Sequence, residues 1–277
     1  MKILPLIAVS SLLSGTTFAA ATLNNFDGGA GQTPVSFSNF SDPTVANGGA
    51  SIQTTGGNPG GFLQVSNNVN GQHNYATFDR TQTGTVPLST FAFQFRVDNL
   101  GAGGADGFSF AYHSTAASGT TGGFTAAPFT AEDPAAAGVL GFGFDTWGNG
   151  LPFDANGNSD NYSEISLFYN STLISRVDDT RLLAIPLNLK DGAWHSVTGT
   201  VNFLGGSASL SVDGQPIFSN TAVAGLVPYE SRVSYGARTG GANERVSIDS
   251  LNVQFVPEPA SFSLLALGAL ALFRRRR

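Results

Sequence analysis

Residues 144–165, FDTWGNGLPFDANGNSDNYSEI, gather oxygen donors in a chain of which only 12% is charged. Asp145, Asp154, Asp160 and Glu164 bring carboxylates, and Asn149, Asn156, Asn158 and Asn161 bring amides. Calcium takes about six to eight oxygens from carboxylates, amides, carbonyls and water, so Asp145, Asn149, Asp154 and Asp160 are candidate ligands from one loop. The spacing is not that of an EF-hand. Asp154, Asn156 and Asn158 start correctly, but Ser159 stands where the turn needs Gly, and Ile165 where the bidentate Glu belongs. Trp147 offers a flat apolar face beside hydrogen-bonding amides, which suits a sugar ring with apolar faces and a polar rim. Asn, Asp and Gly are also turn formers, and a solvated loop without a ligand has the same composition.

Other chemistries find less support. With no Cys there is neither a disulfide framework nor a thiolate. His73, His113 and His195 have no metal-ligand spacing and no partnering Ser motif. Glycoside hydrolysis needs two carboxylates on either side of one bond. Glu132-Asp133 and Asp178-Asp179 are adjacent pairs whose side chains point to opposite faces in an extended chain. We therefore expect no enzyme. The formal charge is −6; setting aside Lys2, Arg274 to Arg277 and Glu258 leaves 8 basic residues (13 less 5) against 18 acidic (19 less 1). That sign excludes a protein that tracks a nucleic-acid backbone.

The elements that must position these groups are strands. YATFDR (75–80), TFAFQFRV (90–97), DGFSFAYH (106–113), WHSVTGTVNF (194–203), SASLSVDG (207–214) and RVSIDSLNVQF (245–255) alternate apolar and polar residues, the mark of half-buried strands. No sustained helical period lies between the ends, and the 35 Gly suit short strands joined by tight turns. The expected fold is all-β: one antiparallel β-sandwich of the jelly-roll kind over residues 22–255. Residues 1–21, with one Lys, an apolar run and small residues at 19–21, read as a secretory signal peptide. At the other end Pro257, Glu258 and Pro259 halt the last strand, and the apolar run 262–273, shorter than the roughly 20 residues of a comfortable membrane span, leads into Arg274 to Arg277.

Residues 256–277 resemble a PEP-CTERM tail: Pro-Glu-Pro, an apolar helix and a basic cluster. The resemblance implies recognition by an exosortase at the inner membrane. It also implies that the tail anchors the chain transiently in the membrane, that its removal follows, and that the protein is delivered to the cell surface or extracellular matrix. Six segments, GGADGFSFAY, LGFGFDTWGN, SEISLFYN, DGAWHSVTGTV, SLSVDG and YGARTGGANERVSIDSLNVQF, are similar, in the same order, to segments of L-type (legume-type) lectins of the concanavalin A-like superfamily. That resemblance implies that Asp106, preceded by a cis peptide at Ala105, bonds sugar hydroxyls. It implies calcium held by Asp145, the Trp147 carbonyl and Asn149, with Asp154 or Asp160 completing the shell and Asn149 also reaching the sugar. It implies sugar contacts from the loop 239–242, including Thr239, Gly240 and Gly241. A transition-metal site beside the calcium is not expected, because Gly143 and Glu164 occupy the positions of the Glu and His that two-metal legume lectins use. The paired catalytic carboxylates of the glucanase branch, at alternating positions on one strand, are absent. The expected partner is a glycan or exopolysaccharide. The competing expectation is a structural matrix scaffold whose sugar site has decayed.

Overall fold

The computed structural model describes residues 20–40, 48–98, 104–147 and 163–256. Two antiparallel sheets face one another. One runs in the order β10 (Thr172–Val177), β9 (Glu164–Tyr169), β8 (Val139–Asp145), β7 (Gly107–Ser114), β14 (Ser231–Arg238), β5 (His73–Phe78), β2 (Val35–Asn39). The other runs β13 (Gln215–Ala222), β12 (Ser207–Val212), β11 (His195–Asn202), β6 (Leu88–Asp98), β15 (Arg245–Val256), β4 (Gly60–Gln64), β3 (Ser51–Gly57). Strand β1 (Ala20–Asn24) pairs with β15, Ala20 opposite Phe255 and Ala21 opposite Gln254, so two residues read as leader lie within the sheet. The last described strand, β15, runs to Val256 and pairs with β1, so the first and last described strands are neighbours in one sheet.

The core is aromatic because the period-two residues of the central strands are aromatic. Phe91, Phe93 and Phe95 of β6 point inward against Phe108, Phe110 and Tyr112 of β7 and Phe142 and Phe144 of β8, all buried. The Phe108 and Phe144 rings stack at 4.6 Å across the β7–β8 pair. Burying such side chains contributes about 1.5–3 kcal/mol each. A one-residue slip of register would turn every ring outward.

One expectation differs from the outcome. The alternation in residues 106–113 predicts one wet face on β7, yet β8 is buried throughout and β7 in all but its last residue. The long loop 115–138 folds over the outer face, where Phe129, Ala131 and Val139 form a second small core with Tyr75 and Ala111. Small outward residues permit this: Ser109 donates its hydroxyl hydrogen bond to the Ala131 carbonyl, and a Cβ on Gly141 would meet Pro134 at 2.7 Å. Buried Arg232 pins the loop through the carbonyls of Phe78, Ser118 and Gly122. Alternating apolar and small residues thus read as amphipathic in sequence while packing on both faces.

Candidate functional site

The sheet order explains why residues far apart in sequence meet. Strands β8, β7 and β14 are neighbours, and antiparallel pairing brings the end of β8, the start of β7 and the end of β14 to one edge. Gly107 is opposite Asp145 on one side and Arg238 on the other. Two main-chain bonds continue the ladder past the strands: Asp106 N–H to the Arg238 carbonyl at 3.0 Å, and Thr146 N–H to the Asp106 carbonyl at 3.1 Å. The Ala105–Asp106 peptide is cis.

Beyond this edge lies an open cavity of about 410 Å³ lined by Ala105, Asp106, Trp147, Arg238 and the loop residues Gly240, Gly241 and Ala242. Gly240 lies against the carboxylate, where a Cβ would come within 3.0 Å of Asp106 Oδ2. Thr239 does not face the cavity. Its hydroxyl donates to the Val69 carbonyl at 2.6 Å and accepts the Gln72 N–H at 2.9 Å, which fixes the loop to the turn 69–72. The carbonyls of Gly240 and Gly241 accept from Gly71 N–H and Asn70 Nδ2. The N–H groups of Gly240, Gly241 and Ala242 have no hydrogen-bond partner among the described residues.

Charge in the cavity is compensated unevenly. Arg238, whose side chain is 42% exposed, donates to Glu132 Oε1 at 2.6 Å and stands 3.4 Å from Asp106 Oδ2. Burial raises the Asp106 pKa above the usual carboxylate range, against the pull of Arg238. Burial raises Glu132 likewise, opposed by its own backbone and by Arg238. The wall therefore offers an acceptor at Asp106, donors at Arg238 and the glycine N–H groups, and the Trp147 ring.

Asp145 closes β8 and turns the chain, its Oδ1 accepting the Trp147 N–H at 2.7 Å. Its carboxylate and the Trp147 carbonyl are hard oxygen donors of the kind calcium takes. No group of three or more His, Cys, Asp or Glu able to hold a metal occurs among the described residues. Asn149, Asp154 and Asp160 lie outside the described residues, as do Pro257, Glu258, Pro259 and residues 1–19, most of the expected signal peptide. A Cβ on Gly143 would approach Ser166 Oγ to 2.5 Å and the Glu132 carbonyl to 2.7 Å. Glu164, opposite Asp145, faces Arg176 at 3.4 Å.

Four contributors escaped the motif reading: Arg238, Glu132, Lys190 and Glu244. Lys190 Nζ donates to the Thr146 carbonyl at 2.7 Å and the Gly104 carbonyl at 3.3 Å. Glu244 Oε1 accepts the Thr146 hydroxyl at 2.7 Å. Lys190 carried a signal, being one of two Lys in the chain, the other being Lys2. The others belong to no recognisable spacing.

Comparison with solved structures identifies the fold. Lectin II from Ulex europaeus superposes with a TM-score of 0.56 at 18% identity, covering 84% of this chain and 97% of that one. The exoplasmic/lumenal domain of VIP36 in its Ca2+/Man-bound form superposes with a TM-score of 0.57 at 14% identity, covering 87% and 91%. The lectin from Bauhinia forficata in complex with GalNAc gives 0.50 at 16% identity, covering 82% and 100%. The fold is that of the legume lectins. Identities this low show the lectin fold alone. Residues 255–277 match the PEP-CTERM protein-sorting motif, so the lectin-like domain belongs to a chain sorted by an exosortase. No curated protein matches the sequence.

Proposed function

We propose that the sandwich binds carbohydrate with the help of calcium on an exported protein that an exosortase releases to the bacterial surface or matrix. The observation that carries this reading is the convergence of Asp106, Trp147, Gly240 and Gly241 on one open cavity. A carboxylate acceptor, unpartnered backbone donors and an aromatic face are the complement of a pyranose. The solved VIP36 and Bauhinia lectins of the same fold hold mannose with calcium and GalNAc respectively. Asp145 and the Trp147 carbonyl would hold calcium together with Asn149 and either Asp154 or Asp160. The ion would fix the segment from which Trp147 and Asn149 meet the sugar. The partner is a glycan or exopolysaccharide, reached after transport by the general secretory route and removal of the tail. Catalysis has no part in this reading.

The test is thermal unfolding of the full chain with calcium and with chelator. A ligand of the folded state alone adds about 2.7 kcal/mol at one hundred times its Kd. Calcium should raise Tm in the wild type and in Asp106→Ala, and should not in Asp145→Asn. A Tm indifferent to calcium would return residues 144–165 to the status of a polar loop and favour the scaffold reading.

A further inference from the structure

Behind the cavity, buried side chains converge on one residue that does not line it. Thr146 lies between Asp145 and Trp147 and is fully buried. Its three polar contacts point to three places. Its N–H donates to the Asp106 carbonyl at 3.1 Å, its hydroxyl to Glu244 Oε1 at 2.7 Å, and its carbonyl accepts from Lys190 Nζ at 2.7 Å. Lys190 then reaches on to the Gly104 carbonyl, on the far side of the cis peptide. Glu244, directly before β15, is itself tied to the segment after β4, its carbonyl accepting the Ser66 hydroxyl at 3.0 Å.

We propose that Lys190 and Glu244 are positioning residues for this cavity, acting through Thr146 to lock the segment 104–106 against the segment 145–147, so that Asp106 and Trp147 stand in one fixed relation before any ligand arrives. The proposal rests on the reading of this cavity as the binding site. Three features carry it.

The first is placement. The two segments belong to different strands, and past the end of the β7–β8 ladder they share one direct main-chain bond, Thr146 to Asp106. One bond fixes a distance but not a rotation; the Lys190 bridge between the Gly104 and Thr146 carbonyls removes that freedom. The second is burial. Glu244 is wholly buried and Lys190 is 9% exposed, and charges kept in such places need specific partners. Burial pushes the Glu244 carboxyl up to about 7, against the Thr146 hydrogen bond and the Lys190 charge. Apolar side chains would fill this space with no such penalty, so the polar groups are not there for packing. The third is economy: Lys190 is the only Lys among the described residues, and its ammonium goes to backbone carbonyls of the two site segments. A first shell held by a connected outer shell loses about tenfold to a hundredfold in affinity when that shell is cut.

The experiment uses the full chain with Trp194→Phe, which leaves Trp147 as its single Trp. Acrylamide quenching of Trp147 is measured without calcium or sugar, so the outcome does not depend on whether either binds. Two perturbations cut the lock. Lys190→Met with Glu244→Leu removes both charges together and keeps volume, and Thr146→Val removes one hydroxyl and keeps shape. Both should stay folded and show freer quenching of Trp147, while Thr146→Ser, which keeps the hydroxyl, should quench as the wild type does. Where the wild type binds calcium by calorimetry, the two cut variants should bind about tenfold to a hundredfold more weakly. Folded variants whose Trp147 quenching equals the wild type would overturn the proposal. Loss of folding in both cut variants would overturn it equally, by making the contacts structural. A wild type that binds neither calcium nor glycan would refute the functional reading while the quenching result still stood on its own.

Discussion

Replacing Gly107 with Ala attacks the point where the two site segments are closest. Gly107 has φ +133°, and a Cβ there would lie 2.3 Å from the Phe144 carbonyl oxygen and 2.9 Å from the Asp145 Cα. Ordinary contacts begin near 3.4 Å, so backbone must move by about an ångström at a rung of the β7–β8 ladder. Strain at a conformation that favours glycine costs about 1–3 kcal/mol, and overpacking a tight interior about 1–3 kcal/mol more. The sum, about 2–6 kcal/mol, is a large share of the roughly 5–15 kcal/mol that holds a domain together. At about 2–4 °C per kcal/mol for a domain of this size, Tm should fall by roughly 4–24 °C. Gly84→Ala is the control: φ is +83°, but nothing lies within 4 Å of its Cβ, so it carries strain without a clash. Differential scanning calorimetry of both variants decides. A Gly107→Ala protein no less stable than Gly84→Ala would refute the close approach, and with it the geometry that joins Asp106 to Asp145.

Three further outcomes follow from the same structure. His113 is buried, bonds Ser234 Oγ at 2.7 Å and has its pKa lowered to about 3, chiefly by burial and then by the Arg232 charge. The unfolded chain therefore takes up this proton first. The stability due to neutral His113 is full above pH 6.5 and is lost as pH falls toward 3, on the order of 5 kcal/mol across the window. Urea unfolding of wild type and His113→Gln at pH 7 and pH 4 should show the gap closing or reversing at pH 4; a pH-independent gap contradicts it. Glu230 accepts from Gly84 N–H, Arg80 and Thr115, contacts that lower its pKa to about 2. Its contribution is present above pH 4.5 and is lost as pH falls through about 2, so Glu230→Gln should flatten the acid limb of the stability profile and leave pH 7 slopes alone. Arg238→Met strands Glu132 in a buried position and should cost about 2 kcal/mol or more by chemical denaturation, with the double variant Arg238→Met, Glu132→Gln recovering much of it.

The sandwich was legible because its signal is periodic. Aromatic residues at alternate positions in 90–97 and 106–113 specify which face is buried, and tight turns punctuate the rest. Asp106 and the segment 144–147 were legible through similarity of local motifs, and sheet order explains why two such motifs share one edge. The covered face of β7 was not legible, since Ser109 and Ala111 read as solvent-facing until a loop from residues 115–138 is known to lie on them. Nor were Lys190, Glu244, Glu132 and Arg238. Each acts across 44 to 106 residues of sequence, as Lys190 with Thr146 and Arg238 with Glu132 do, and no local spacing encodes a contact made only once the sheets have closed.

The central claim is that this cavity binds sugar and needs calcium to do so. The direct measurement is a glycan array probed with the full chain in calcium, in chelator, and with Asp106→Ala in calcium. The account predicts a defined set of glycans bound in calcium and lost under both other conditions. Binding that persists in chelator and in Asp106→Ala, or no glycan bound in calcium at all, would contradict it.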